Sequence, residues 1–254
     1  MNPAASGGVH PAAENRAVVR LEETAARGWP APETEWLGRW LLRAGEGWTR
    51  RANSVLALGE PDRPLDAALA AVGRWYTARG LRASFSVPLP TQQPLDDELA
   101  ARSWTIDMDT AVLTTDLASA TPAGGTGVRL ADRPPPGWAA VYRGGTALPS
   151  VAERILTAPS VVTFASITHR DRIVATGRGV VTDGWLGIAA VEVLPDHRRR
   201  GLARKITSAL RAWGTLHGAT RCYLQVMSSN APALALYADL GFSHHHSYRQ
   251  RTCS

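Results

Sequence analysis

Apolar and polar positions change period several times along the chain, and each change marks an element. Leu202, Ile206, Ala209, Leu210, Trp213 and Leu216 recur at helical spacing, predicting a long amphipathic helix that ends near His217. Ahead of it lie three strand-like runs, 161–168, 173–181 and 185–194, joined by Asp171-Arg172 and Asp183-Gly184 as the turns of a meander. Behind it the pattern predicts a strand over 222–227, a helix over 231–240 and a final strand over 242–251. Gly241 stands where a helix end favours a residue at positive φ. A short strand at 128–130 and two helices at 135–143 and 151–156 complete this half.

The earlier half repeats part of that order. A helix over 65–79 follows Pro64, then a strand at 83–89, a short helix at 95–102 and a strand at 105–115. Upstream, 36–43 and 48–56 read as strands, with a short helix near Glu22. The echo is one of element order and not of residue identity, which suggests a diverged internal duplication. The small, Gly- and Pro-rich run ASATPAGGTG at 118–127 reads as a linker. The expected organisation is a disordered tail (1–15), a first domain (16–117), the linker (118–127) and a second domain (128–251), all of mixed α/β, α+β class.

Composition adds bounds to this picture. With 44% hydrophobic and 20% charged residues in 254, the chain can bury real cores and is not a disordered polymer. No apolar run is long enough to cross a bilayer, and the first 15 residues lack the pattern of a signal peptide. Cys222 and Cys253 offer no disulfide framework, so a cytoplasmic protein is expected. The formal charge of +6 invites a nucleic-acid reading. The basic residues are dispersed, however, with one dense cluster at Arg198–Arg200, Arg204 and Lys205, the chain's only lysine. A cluster that local suits a phosphate-bearing small molecule better than a duplex.

The cluster sits in the stretch Val191-Glu-Val-Leu-Pro-Asp-His-Arg-Arg-Arg-Gly-Leu-Ala-Arg-Lys205, where a strand ends, a basic turn follows and a helix begins. Helix N-termini carry unsatisfied N–H groups and partial positive charge, so such a turn can receive a pyrophosphate. Gly201 has no Cβ to keep phosphate oxygens from the main chain, and the arginines add charge around the same anion. Alone, Arg198-x-x-Gly201-x-Ala203 does not outweigh a strand–turn–helix with solvated arginines. Downstream, however, stands Asn230-x-x-Ala233-x-x-Leu236-Tyr237-x-x-x-Gly241-Phe242 at a matching separation.

With both motifs present, the half from Gly127 to Arg251 resembles the GNAT superfamily, the GCN5-related N-acetyltransferases. The resemblance implies a GNAT fold in this half and a degenerate GNAT-like first half that shapes substrate and adds stability. It implies acetyl-CoA as acyl donor, with main-chain groups of Val191 and Val193 on its pantetheine arm and an N–H near Val193 polarising the thioester carbonyl. Arg198, Arg199, Arg200, Gly201, Leu202, Ala203 and Arg204 would form the pyrophosphate loop. Asn230 would reach the pantetheine arm, and the Tyr237 hydroxyl would lie near the sulfur, placed to protonate the thiolate. Tyr237 could alternatively be a core aromatic.

The general base is where the pattern departs. Some similar proteins carry a glutamate where this chain has Gln225, and others an acid where it has Gly187 or Ala189. Glu192 is the nearest carboxylate and could take the proton directly or through water. A structural role for it, paired with an arginine, is the alternative. His244-His245-His246 tempts a metal reading, but consecutive strand residues alternate faces and no supporting ligand is spaced nearby, so no metal is expected. His245 or Tyr248 could line the acceptor end of the cleft. The function expected is transfer of an acetyl group to a primary amine of a small molecule or protein. The alternative is a non-catalytic acyl-CoA-binding module, which Gln225 favours. Neither nucleic acid nor membrane is an expected partner, and a homodimer is left open.

Overall fold

The computed structural model describes residues 11–117, 127–144 and 147–253. Their order is α1 (Pro11–Gly28), β1 (Glu33–Leu37), β2 (Trp40–Ala44), β3 (Val55–Ala57), α2 (Leu65–Thr77), β4 (Ser84–Leu89), α3 (Gln93–Ala101) and β5 (Thr105–Asp116) in the first half. The second half runs β6 (Arg129–Ala131), α4 (Trp138–Arg143), α5 (Ser150–Thr157), β7 (Val162–His169), β8 (Arg172–Thr182) and β9 (Trp185–Val193). It closes with α6 (Leu202–Leu216), β10 (Arg221–Met227), α7 (Ala231–Asp239) and β11 (Ser243–Thr252). The mixed α/β class and the helical and strand periods of the second half stand as the sequence predicts.

All eleven strands form one sheet, in the order β1-β2-β3-β4-β11-β5-β10-β9-β8-β7-β6. The order is symmetric about the central β11–β5 pair. Each flank has an antiparallel neighbour to that pair (β4 or β10), then a parallel step (β3–β4 or β9–β10) and an antiparallel meander. The last strand of the chain therefore lies between two strands of the first half, and β5 lies between β10 and β11. The sheet does not break where the sequence suggested a linker, because each half completes the other. Most of that stretch, 118–126, lies outside the described residues, as does the first part of the expected tail, 1–10. Residues 11–15, expected in the tail, are instead helical.

Helix α1 is 18 residues long rather than the short helix expected near Glu22. Its Val18, Leu21 and Ala25 bury one stripe, and Leu21 and Ala25 pack on Val112, Tyr223 and Tyr248 over the centre of the sheet. Glu22 accepts a 2.8 Å hydrogen bond from His246 across that interface. A bulge at His245 breaks the strand alternation, and the three histidines take separate roles: His246 bonds Glu22, His245 bonds His246, and His244 bonds Ser247.

Two readings of the first half are corrected. The run 36–43 is a hairpin turning at Gly38, not one strand. The run 48–56 contains a 3₁₀ turn, Arg50–Ala52, before the short β3. Asn53 is the reason: its Oδ1 accepts from Gly45 and Gly47 at 2.8 and 2.9 Å while its Nδ2 donates to the carbonyls of Trp48 and Thr49. A side chain that satisfies four main-chain groups locally favours a loop over a ladder.

Where β11 enters the first half, Asp96 of α3 is buried and binds Arg251 through both oxygens, at 2.6 and 2.9 Å, and also Arg249. Burial opposes ionisation of this carboxyl, but the hydrogen bonds and charges of Arg251 and Arg249 outweigh it and hold its pKa below the ordinary value. A carboxyl lowered in the folded state contributes stability above the unfolded pKa, near 4, and loses it as pH falls through the folded value. Asp96→Asn is expected to cost about 2 kcal/mol at neutral pH, from a weakened hydrogen-bond set around a buried guanidinium. Its melting temperature should fall less steeply than that of the wild type on acidification below pH ~4. Parallel acid profiles for the two proteins would refute this role.

Candidate active site

The site forms where two neighbouring strands separate. Strands β9 and β10 pair in parallel only from Trp185–Arg221 to Ile188–Leu224. Beyond Ile188, β9 carries a bulge against β8, marked by Ala190 at φ 55° and a register shift opposite Thr176 and Arg178. The bulge turns β9 away and leaves residues 189–193 facing a gap. The Leu194 N–H donates to the Val174 carbonyl of β8 at 2.9 Å, so by strand alternation the amides of Val193 and Val191 point into the gap.

At the end of β9 a 3₁₀ turn, Pro195–His197, leads into Arg198–Gly201 and then α6. Arg199 (φ 58°) and Gly201 (φ 73°) both have left-handed backbone, which curls the loop around its own amides. The first amide to find a main-chain acceptor is that of Lys205, bonded to Gly201 at 3.0 Å. Those of residues 199–204 have none among the described residues, and nothing lies within 4 Å of where a Gly201 Cβ would stand. This is an open cradle of donors at a helix N-terminus, suited to a phosphate. Arg199 and Arg200 are exposed and in no ion pair among the described residues, whereas Arg198 donates to the Val193 carbonyl at 3.1 Å and Arg204 pairs with Asp239 at 3.1 Å. Leu202 and Ala203 open α6, and the Ala203 carbonyl accepts from Thr207.

Helix α7 closes the other side of the gap. The Asn230 Oδ1 accepts from the Ala233 N–H at 3.2 Å, so this side chain caps the helix first of all. The Tyr237 ring is buried edge-on against Phe242, as a core aromatic would be. Its hydroxyl makes no hydrogen bond among the described residues. Burial, then the nearby Glu192 carboxylate, push its pKa to about 12, so it keeps its proton through the neutral range. Burial also raises the Glu192 carboxyl, although the Arg198 charge pulls the other way.

Glu192 opens onto a cleft of about 560 Å³ between the two halves of the molecule. Gln225 and Met227 of β10, Tyr142 and Arg143 of α4, Arg50 and Arg51 of the 3₁₀ turn, and Tyr248 of β11 line its remaining walls. Tyr248 thus stands at the cleft, and His245 does not. Gln225 accepts a 3.1 Å hydrogen bond from Arg51. Gly187 leaves no room for an acid: a Cβ there would lie 2.5 Å from the Tyr223 hydroxyl. The basic run Arg50-Arg51 precedes β3 and lines the cleft. The loop that does occupy the equivalent place, between β3 and α2, carries Glu60 and Asp62, and its one arginine, Arg63, pairs with Asp62. Composition signalled Arg51 only as part of a basic run; Asn53, which builds its loop, was the readable clue.

Comparison with known proteins bears on this arrangement. A family model described as "Probable histone acetyltransferase Rv0428c C-terminal" matches residues 15–251. The chain is similar to "Uncharacterized N-acetyltransferase YobR" of Bacillus subtilis, with 30% identity over 91% of this chain and 98% of that protein. It is similar to "Probable histone acetyltransferase Rv0428c" of Mycobacterium tuberculosis, with 32% identity over 92% of this chain and 73% of that protein. Among solved structures, a GCN5-related N-acetyltransferase from Kribbella flavida superimposes with a TM-score of 0.67 at 20% identity, covering 92% of this chain and 95% of that one. A tandem GNAT protein from the clavulanic acid biosynthesis pathway superimposes at 0.58 and 16% identity, over 100% and 90%.

Proposed function

Because the chain belongs to the family of the Rv0428c C-terminal region, and with it to the GNAT superfamily of acetyltransferases, we propose that it moves an acetyl group from acetyl-CoA to a primary amine by direct attack in a ternary complex. The observation that carries this reading is the gap between β9 and β10, which opens at one end on the unpartnered amides of 199–204 and at the other on Glu192 and the cleft. The pyrophosphate of CoA fits the first end and the acceptor the second, with the thioester between them. A catalytic second half, 128–251, supported by the first half across the shared sheet, accords with this division. No helix among the described residues is long and apolar enough to cross a membrane, and a cytoplasmic enzyme is the simplest setting.

In the proposed reaction the amine nitrogen attacks the carbonyl carbon while Glu192 takes its proton, directly or through water. The carbonyl oxygen gains charge against the Val193 amide. The carbon–sulfur bond breaks, and the electron pair leaves on the sulfur. A phenol at about 12 does not surrender its proton readily to a thiolate whose conjugate acid lies near 8.5, so Tyr237 acts by donating a hydrogen bond to the departing sulfur. The product thiolate collects its proton afterwards.

Purified protein should bind CoA by calorimetry and release thiol from acetyl-CoA only when an amine is supplied. Tyr237→Phe should keep the fold and CoA affinity, since the ring packing survives, and lose about tenfold in kcat, the value of one hydrogen bond to a charged group. Undiminished turnover in that variant, with chemistry limiting, would remove Tyr237 from the mechanism. Gln225, standing where some members of the superfamily carry a glutamate, favours a second reading, an acyl-CoA-binding module without turnover. Tight CoA binding with no transfer to any amine would favour it. The acceptor, small molecule or protein such as the histone in the name of the M. tuberculosis relative, is decided by the cleft.

A further inference from the structure

The charge of the cleft is one-sided. Three arginines, Arg50, Arg51 and Arg143, line it against one carboxylate, Glu192. Arg50 is neutralised by Asp107, but Arg51 and Arg143 form no ion pair with a carboxylate among the described residues. Arg51 spends one N–H on the neutral amide of Gln225 and lays its flat face on Trp29, 3.9 Å from the ring centre. Trp29 stacks on Trp48, 5.6 Å away and nearly parallel, and Arg143 lies over Trp48 at 5.5 Å. A cation over an aromatic face is held through its π contact, which leaves the remaining guanidinium N–H donors available for a ligand.

A second observation lies directly behind Arg51. Arg178 is buried on β8, and it donates to the carbonyls of Leu156 and Gly28 at 2.9 and 3.1 Å. Its other terminal nitrogen, Nη2, has no hydrogen-bond partner among the described residues. Arg178 borders a small cavity of about 10 Å³ that it shares with Arg51 and Gln225, room for one water at most. Burial, and then the charge of Arg51, pull its pKa down to about 9. Two cations thus repel each other beneath the cleft floor, and Glu22, the buried carboxylate that shares a small cavity with Arg51, is hydrogen-bonded to His246. An anion bound at Arg51 relieves that repulsion.

We propose that the acceptor is an amine that also carries an anionic group, a carboxylate or a phosphate, held by Arg51 and Arg143 while its amine is presented to Glu192. This rests on the acetyltransferase reading above and names its substrate class. Gln225 gains a purpose in this arrangement: a glutamate there would neutralise Arg51. A lysine-rich peptide meets the wrong sign of charge at the cleft.

The test uses ω-amino carboxylates of two to six carbons, each against the alkylamine of the same length, with aminoalkyl phosphates and a lysine-rich peptide as further arms. Binding to the CoA-loaded protein is measured by calorimetry and transfer by thiol release. The wild type should favour the best anionic amine over its neutral counterpart by about tenfold to a hundredfold, the range of one to two charge-assisted contacts. Arg51→Gln and Arg143→Gln should each bring that ratio towards one through KM, with CoA affinity retained. Arg143 is exposed, so its replacement does not threaten the fold. Gln225→Glu should have the same effect as Arg51→Gln. The carboxylate and phosphate arms decide which anion the pair of arginines fits. Equal or tighter binding of alkylamine or lysine-rich peptide by the wild type overturns the proposal. So does a preference that survives both arginine substitutions, or failure of every anionic amine to bind. Selective binding without thiol release would sustain the anionic ligand and sink the enzymatic reading instead.

Discussion

Replacing Gly201 by glutamate is expected to raise the Kd for CoA by about a thousandfold or more, with the protein still folded. Three effects act together. The backbone at Gly201 is left-handed, φ 73°, which costs a residue with a Cβ about 1–2 kcal/mol. The added side chain enters the open space in front of the loop amides, where no protein atom lies within 4 Å, so it meets the ligand and not the fold. Its carboxylate then faces the pyrophosphate and captures the amides and arginines meant for it, each such contact being worth about 1.5–3 kcal/mol. Gly201→Ala separates strain from blockade: it carries the backbone cost alone and should weaken CoA by about tenfold at most. Calorimetry with CoA, alongside circular dichroism to confirm folding, checks both. A folded glutamate variant with wild-type affinity would remove residues 199–204 from the cofactor site.

The second half was legible because its chemistry and its periodicity coincide. The helix α6 could be read from Leu202, Ile206, Leu210 and Trp213, and the proposed phosphate loop stands immediately before it. Those apolar positions are buried or partly buried in the core beneath the loop. Tyr237 and Glu192 were named from position alone, and the fold brings them within electrostatic reach of each other.

The first half was less legible, for reasons that lie in individual residues. Helix α1 is rich in alanine, arginine and glutamate, and its buried stripe amounts to little more than Val18, Leu21 and Ala25. Such a face gives a weak periodic signal, although it holds the middle of the sheet. The 3₁₀ turn that delivers Arg51 depends on four hydrogen bonds of one asparagine, which no period records. The exchange of β5 and β11 is a matter of topology. Alternation in 105–115 and 242–251 predicted two strands correctly, but pairing partners are chosen by the whole sheet. The proposed acceptor side of the cleft is assembled from these poorly legible parts, so the sequence pointed to a candidate donor site and left the acceptor open.

Glu192→Gln is the sharper probe of catalysis, and kcat/KM at neutral pH is expected to fall by about 10²-fold or more, within the usual range for a positioned general base. In the wild type, kcat/KM should rise with pH as the Glu192 carboxyl ionises. Burial places that ionisation above the ordinary glutamate value, despite the opposing Arg198 charge, and so nearer the working pH. The glutamine variant should lose this limb and retain only the rise from deprotonation of the amine itself. Stability distinguishes a base from a structural ion pair. A carboxyl whose pKa is raised by folding stabilises the folded state in its protonated form, and that contribution disappears as pH rises through the folded value. A neutral isostere should therefore leave the melting temperature at pH 7 unchanged or slightly higher. A strand residue held by a salt bridge would behave oppositely, and Glu192 makes none among the described residues. A variant that melts as the wild type, binds CoA as the wild type and turns over a hundredfold more slowly fits a base. Should the pH profile and rate be unaltered, the amine loses its proton to solvent, and Glu192 only tunes the charge around Tyr237.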